Sequence, residues 1–273
     1  MRLLNSMRAY GALGVCVVIM LLCAAPHLYA IILLDTVLRV DRAEHRRRVA
    51  SWQIFWGALL GMAVFLIMGI TVDMALPSSA SLKRDVPFVV VSNHPSGPLD
   101  GPLLLIMLMR LGRFDSRSVV KREVASVPVI GRSCAEIECA FLARGGQKDA
   151  DLAEIAKCAR VACHDRASVI IFPEGTRFRG PKAGSGLMRV LPPKSSGLQV
   201  LLAALPQYSV LSVTIGWNRD IRNGETVASS LGAYAGAGVR VHAEVLEGLR
   251  PQDAEAWLKD EWRRKDDSLS KTG

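Results

Sequence analysis

The chain has six cysteines but no Cys-x-x-Cys: Cys134 and Cys139, like Cys158 and Cys163, are separated by four residues. That excludes the common zinc and thiol-redox spacings and offers no disulfide framework, so reduced, partly buried thiols are expected. His27, His45, His164 and His242 form no metal-binding spacing with the cysteines, and no metal or other cofactor is expected. Aromatic residues are few, at 6%. With no Gly-rich nucleotide loop and no nucleic-acid motif, the formal charge of +9 does not by itself argue for DNA or RNA as a partner. A Gly-x-Ser-x-Gly elbow is also missing, which argues against a serine lipase. No internal repeat is evident.

What the 273 residues have is apolar length. Half are hydrophobic and the mean hydropathy is +0.26, unusual for a soluble domain. The excess lies at the front, in Gly11 to Leu34 and in Ile54 to Val72. The first stretch is interrupted by Pro26 and His27 after fifteen residues, and the second is nineteen long, close to the roughly 20 that span a bilayer. Signal-peptide cleavage near Cys23-Ala24-Ala25 is argued against by the apolar run that follows so soon. Arg2 and Arg8 precede the first stretch, and Arg39, Arg42, Arg46, Arg47 and Arg48 lie between the two. Arginines stay cytoplasmic, so two full spans would strand five of them outside, and a single span would put the rest of the chain outside. The reading adopted is a membrane-embedded helical hairpin, kinked near Pro26, that dips into the cytoplasmic leaflet of the inner membrane and returns. Ordinary transmembrane helices are the alternative. Residues 1–75 are then an anchor and 76–273 an α/β domain.

The remainder alternates strands and helices around a mixed central sheet flanked by helices. Val86 to Val91 and Ala167 to Phe172 read as buried strands. Ser118 to Lys121, Ile137 to Leu142, Val210 to Trp217 and Val239 to Leu246 are further strand candidates. Gly101-Pro102 opens a helix to about Leu111, and Asp149 to His164 and Asp253 to Lys265 have helical periodicity. Phe178 to Gly197, rich in Gly, Pro and basic residues including Lys182, Arg189 and Lys194, is either a substrate-facing flap or disordered. Ser268 to Gly273 reads as a polar tail.

Two loops after strands carry the chemistry. VSNHPSGPLD, Val91 to Asp100, places a histidine and a carboxylate in one turn. IFPEGTR, Ile171 to Arg177, places Glu174, Thr176 and Arg177 around Gly175. An imidazole titrates near neutrality, and a carboxylate beside it fixes its tautomer and raises its basicity, which suits activating a hydroxyl. Arg177 is a fork for phosphate or carboxylate, and Gly175 allows close backbone approach to a ligand. Loops at the carboxyl ends of strands are where open α/β sheets bind ligands, so both could share a cleft. Taken singly, each residue has a plainer reading. Asp100 could be a helix N-cap, His94 a structural residue in a Pro-rich turn, Glu174-Gly175-Thr176 a turn and Arg177 a surface charge.

In order along the chain, NHxxxxxD, VVKREVASVPVIG (Val119 to Gly131), CAFLAR (ending at Arg144) and FPEGTR resemble the glycerolipid acyltransferase family, best known through the 1-acylglycerol-3-phosphate acyltransferases. The likeness covers roughly residues 86 to 216. LPPKSSGLQVLLAALP and VLSVTIGW resemble the lysocardiolipin-type bacterial branch. Four departures stand out. Five residues separate His94 from Asp100 where four are usual, Glu138 stands where the second motif usually begins with Gly, Ala143 replaces an acidic residue, and Ser212 stands near a usual Pro.

The resemblance implies transfer of an acyl group from an acyl thioester, on acyl carrier protein or coenzyme A, to the free hydroxyl of a lysophospholipid. His94 would be the general base and Asp100 its orienting partner. Arg177, Arg144 and Lys121 would bind substrate, Glu174 would order the arginine or the acceptor glycerol, and Gly175 and Thr176 would line the site, with backbone amides near Gly175 as candidate oxyanion donors. The phospholipid membrane is the other expected partner, and a basic surface favours anionic headgroups and acidic donors. A thioesterase or lipid hydrolase using His94 on water, or a non-catalytic lipid-binding protein, are the alternatives.

Overall fold

The computed structural model describes residues 2–78, 82, 86–143, 145, 147–219 and 227–271. Arg144 therefore lies outside the described residues.

The apolar front folds as a helical hairpin. Helix α1, Arg2–Ile19, passes through one π-helical turn, Met20–Ala24, into α2, Ala25–Val37. Pro26 explains the interruption: it has no N–H to donate, and its ring clashes with the preceding turn, so the chain widens just before it. The Ala25 amide accordingly bonds back to the Met20 carbonyl. Asp41 caps the returning helix α3, Arg42–Met68, by accepting the Ala43 and Glu44 amides at 2.9 and 3.4 Å. Two tryptophans of α3 hold the kink, the Trp52 indole donating to the Ala24 carbonyl at 3.0 Å and that of Trp56 to His27 Nδ1 at 3.1 Å. Both Leu4–Val37 and Arg42–Met68 are long and apolar enough to cross a membrane. Their outer faces leave Leu21, Leu22, Leu33, Leu34, Phe55, Met62 and Leu66 exposed.

Gly69, at φ +65°, ends α3 in the left-handed conformation. Thr71 and Val72, the tail of the second apolar stretch, therefore belong to a strand, β1, Thr71–Ala75. The other strands are β2 (Phe88–Ser92), β3 (Ser116–Lys121), β4 (Ala140–Leu142), β5 (Ser168–Ile171), β6 (Ser209–Trp217) and β7 (Gly238–Leu246). They form one sheet in the order β1-β7-β6-β2-β5-β3-β4. Every neighbour pair is parallel except β6 and β7, so the sheet is mixed. Helices α4 (Asp100–Arg110), α5 (Ile130–Glu136), α6 (Lys148–Asp165), α7 (Ser196–Ala204), α8 (Val227–Ala233) and α9 (Ala254–Lys271) complete the fold.

β2 is buried along its whole length. Phe88 and Val90 enter the core under α3 and α4, while Val89 and Val91 enter the opposite core with α6, α7 and α9, as the two-residue period of a central strand requires. α3 packs on α4 through glycine. A Cβ on Gly57 would strike Leu105 Cδ1 at 2.3 Å, and one on Gly61 would strike Pro102 at 2.7 Å.

Several boundaries differ from expectation. Ile137 and Glu138 close α5 instead of opening β4, and Glu138 holds φ +56°, the left-handed geometry that a glycine would favour. α9 continues to Lys271, taking residues 268–271 out of the expected tail. The loop after Phe178 ends where α7 begins at Ser196.

Candidate active site

β2 and β5 are parallel neighbours, with Val91 paired to Ile171, so the loops that follow them leave the sheet at the same edge. Asn93 extends the ladder past the end of β2. Its side-chain amide donates to the Ile215 carbonyl at 2.9 Å and its oxygen accepts the Ile215 amide at 2.8 Å. His94 follows directly, and its ring stacks on Phe172 of the second motif with centroids 4.4 Å apart.

His94 Nδ1 donates to Asp100 Oδ2 at 2.6 Å. The extra residue between them is absorbed by Gly97, at φ +72°, which turns the chain so that the first residue of α4 faces back into the loop. The Asp100 carboxylate is fully buried and also accepts the Ser96 and Gly97 amides and the Ser96 hydroxyl. Its bonds thus run back to the loop and the imidazole. The plainer reading of Asp100 as an N-cap gives way, since Leu99 occupies the cap and Asp100 is already helical.

The second motif is fastened to the first. The His94 carbonyl accepts the Phe178 amide at 2.8 Å, and the His94 amide donates to Glu174 Oε1 at 3.4 Å. Arg177 lies over Gly97, where a Cβ would come within 3.0 Å of its Cδ and 3.4 Å of its Nη1. The guanidinium therefore stands beside the histidine loop. Lys194 Nζ is 3.7 Å from the Cβ position of Gly175, a cation that sequence reasoning placed only in a long loop. Thr176 is exposed at the rim. Lys121, exposed, ends β3 on the far side of β5 from β2, at the same edge of the sheet.

Two expectations change. The Gly175 amide donates to the Phe172 carbonyl at 2.9 Å, so this N–H is spent on the turn and is not an oxyanion donor. Glu174 is only 4% exposed and turns beneath the loop, where its Oε1 also accepts the Trp262 indole N–H at 3.3 Å. Burial pushes its carboxyl up to about 8, against the bonds from the His94 and Leu191 amides and Trp262 that favour the charge, with nearby Asp100 adding to the rise. It is a buried acceptor held under the loop by those bonds.

The Ala143 amide donates to Asp151 Oδ1 of α6 at 2.8 Å. Ser212 lies inside β6, its hydroxyl donating to Glu261 at 2.6 Å. Asn93, Phe172, Ser96 and Trp262 were not singled out from the sequence. The first three lie within or beside the quoted motifs, whereas nothing local marks Trp262.

An α/β sheet thus presents a bonded histidine–aspartate pair and an arginine in the loops that follow two adjacent parallel strands. Residues 76–216 match the family described as Acyltransferase, and the chain belongs to that family. No curated protein matches it. Among solved structures, the 1-acyl-sn-glycerophosphate (LPA) acyltransferase PlsC from Thermotoga maritima superposes with a TM-score of 0.62 at 19% identity, covering 99% of this chain and 98% of that one. That is a likeness of fold.

Proposed function

We propose that this acyltransferase moves a fatty acyl group from an acyl thioester, carried by acyl carrier protein or coenzyme A, to the free hydroxyl of a lysophospholipid such as 1-acylglycerol-3-phosphate. The observation that carries the reading is the bonded pair of His94 and Asp100 at 2.6 Å with Arg177 packed over Gly97 beside it. The Thermotoga protein that shares the fold is a 1-acyl-sn-glycerophosphate acyltransferase, which supports the acceptor class.

Asp100 holds the proton on Nδ1, which leaves Nε2 of His94 to take the acceptor's hydroxyl proton. The acceptor oxygen then bonds to the thioester carbonyl carbon. Collapse of the tetrahedral adduct breaks the carbon–sulfur bond, and the departing thiolate recovers the proton from His94. General-base help of this kind is worth about two to four orders of magnitude, and the rest comes from positioning both substrates and from oxyanion donors, roughly 3 kcal/mol each. Arg177 anchors the acceptor phosphate, Lys194 adds positive charge beside Gly175, and Lys121 and Arg144 are proposed as further substrate-binding residues.

The hairpin rests in the cytoplasmic leaflet of the inner membrane in this reading. Support comes from its exposed leucines and from both ends of α3 being tied to the α/β domain: Arg46 bonds Asp165 at one end, and Met68 leads into the sheet at the other. A helix so held along its length runs beside the domain instead of leaving it. The deciding experiment supplies labelled acyl thioester and a panel of lysophospholipids. Esterified lipid is the expected product, lost in His94→Ala. Free acid would instead indicate a hydrolase, and no turnover a binding protein.

A further inference from the structure

The inward face of α9 is unusual. Between Leu258 and Leu269 it carries Glu261, Trp262, Lys265 and Asp266, of which the three ionisable residues are 5%, 2% and 7% exposed. Burying ionisable groups costs several kcal/mol each unless they are well partnered, and apolar residues would often stabilise the same helix better. Each of these residues is engaged with the sheet or with a loop at the site. Asp266 accepts the amides of Met188, Arg189 and Val190 at 2.9, 2.6 and 3.2 Å, which pins the segment between the second motif and α7. Glu261 takes the Ser212 hydroxyl, and Lys265 donates to the Val213 carbonyl, both on β6. Lys265 Nζ also stands 5.1 Å from the Trp262 ring centre. Trp262 is fully buried and spends its one donor on Glu174 Oε1, the oxygen that also receives the His94 amide.

We infer that Trp262 is a positioning residue for the reaction, holding Glu174 as an acceptor that fixes the backbone of His94, so that the C-terminal helix sets the place of the base. The inference rests on His94 being the base proposed above. Glu174 acts here as a hydrogen-bond acceptor for the protein rather than as a ligand of substrate. The charged groups around this line are Asp100 on the site side and, from α9 and β7, Lys265, Glu261, Arg264 and Glu244. Burial brings Lys265 down to about 8, offset in part by Glu261 and Glu174.

The test compares full-length Trp262→Phe, Glu174→Ala and Glu174→Gln. Displacing a base by about an ångström costs up to about 100-fold, so the first two should lower kcat at least about tenfold while KM for both substrates stays within about twofold. Gln keeps the shape and the acceptor oxygen, and should bring kcat back to within about threefold of wild type. Melting temperatures identify any variant that fails to fold. Trp262→Phe keeps the ring packing, so it and Glu174→Gln decide the matter if Glu174→Ala does not fold. A Gln variant as impaired as Ala, with raised acceptor KM, would make Glu174 a carboxylate ligand of substrate and overturn the inference, as would wild-type kcat in Trp262→Phe. The His94 imidazole resonances, read by NMR without substrate, separate this outcome from failure of the proposed function. They should move in Trp262→Phe and stay near wild type in Glu174→Gln whether or not the wild type esterifies a lipid, and unmoved resonances in Trp262→Phe would sink the positioning role.

Discussion

Asp100 is held by four donors: the His94 ring, the Ser96 and Gly97 amides and the Ser96 hydroxyl. That many bonds on a buried carboxylate fix its direction, so the imidazole tautomer is set before any substrate arrives. Asn at this position can still accept the backbone amides, but its NH₂ group can face Nδ1 and favour the wrong tautomer. Asp100→Asn should therefore lower kcat by about 100-fold or more with KM little changed, measured in the same acyl-transfer assay. A variant within about threefold of wild type would remove Asp100 from the mechanism. The pairing was legible in the sequence as NHxxxxxD, but the spacing alone left the direction of the carboxylate open. It was decided by the left-handed backbone at Gly97 and the Ser96 hydroxyl.

The hairpin is joined to the α/β domain through charge as well as through leucine. Arg46 near the start of α3 donates to both oxygens of Asp165 at the end of α6 and reaches Glu138 at 3.2 Å, while Arg117 of β3 also bonds Asp165. Burial alone would raise the Asp165 carboxyl. The bonds from Arg46 and His164, together with the charges of Arg117 and Arg46, bring it down to about 2. Removing one partner of a buried pair costs about 3–5 kcal/mol, and Arg117 retains part of the interaction. Arg46→Met should thus lower the melting temperature by about 10 °C at neutral pH. Because the folded value lies below the ordinary aspartate value of about 3.9, the stability that Asp165 contributes is present above that pH and is lost as pH falls through about 2. Melting scans from pH 5 to pH 2 should show a shallower acid loss in Arg46→Met than in wild type. The arginine cluster was legible as a topological signal, yet Arg46 is a buried structural partner, which only the packing of α3 on α6 reveals.

Across the whole molecule, the apolar hairpin and the histidine loop are joined by the packing of α3 on α4. Leu22 and Leu66 are 72% and 83% exposed, and α3 lies against the helix that begins at Asp100. Burying a leucine is worth about 1.5–3 kcal/mol, so Leu22→Asp and Leu66→Asp should each weaken binding to anionic vesicles about tenfold or more in flotation, while turnover of detergent-dispersed substrate is largely kept. Undiminished flotation of the double variant would count against the membrane-embedded hairpin.

The sequence by itself determined the central strands, the hairpin of apolar helices and the two motif loops after β2 and β5, because these follow from local periodicity, proline and glycine placement, and short contiguous motifs. Tertiary structure alone decided that β1 leaves the apolar run to join the sheet, that Glu174 turns under its loop, that the Gly175 amide is spent within the turn, and that Trp262 reaches the site from the last helix. Each of these depends on a partner distant in sequence: β7 for β1, the α9 face for Glu174, the close approach of β2 and β5 for the loops. Burial and hydrogen-bond direction arise only when such segments meet.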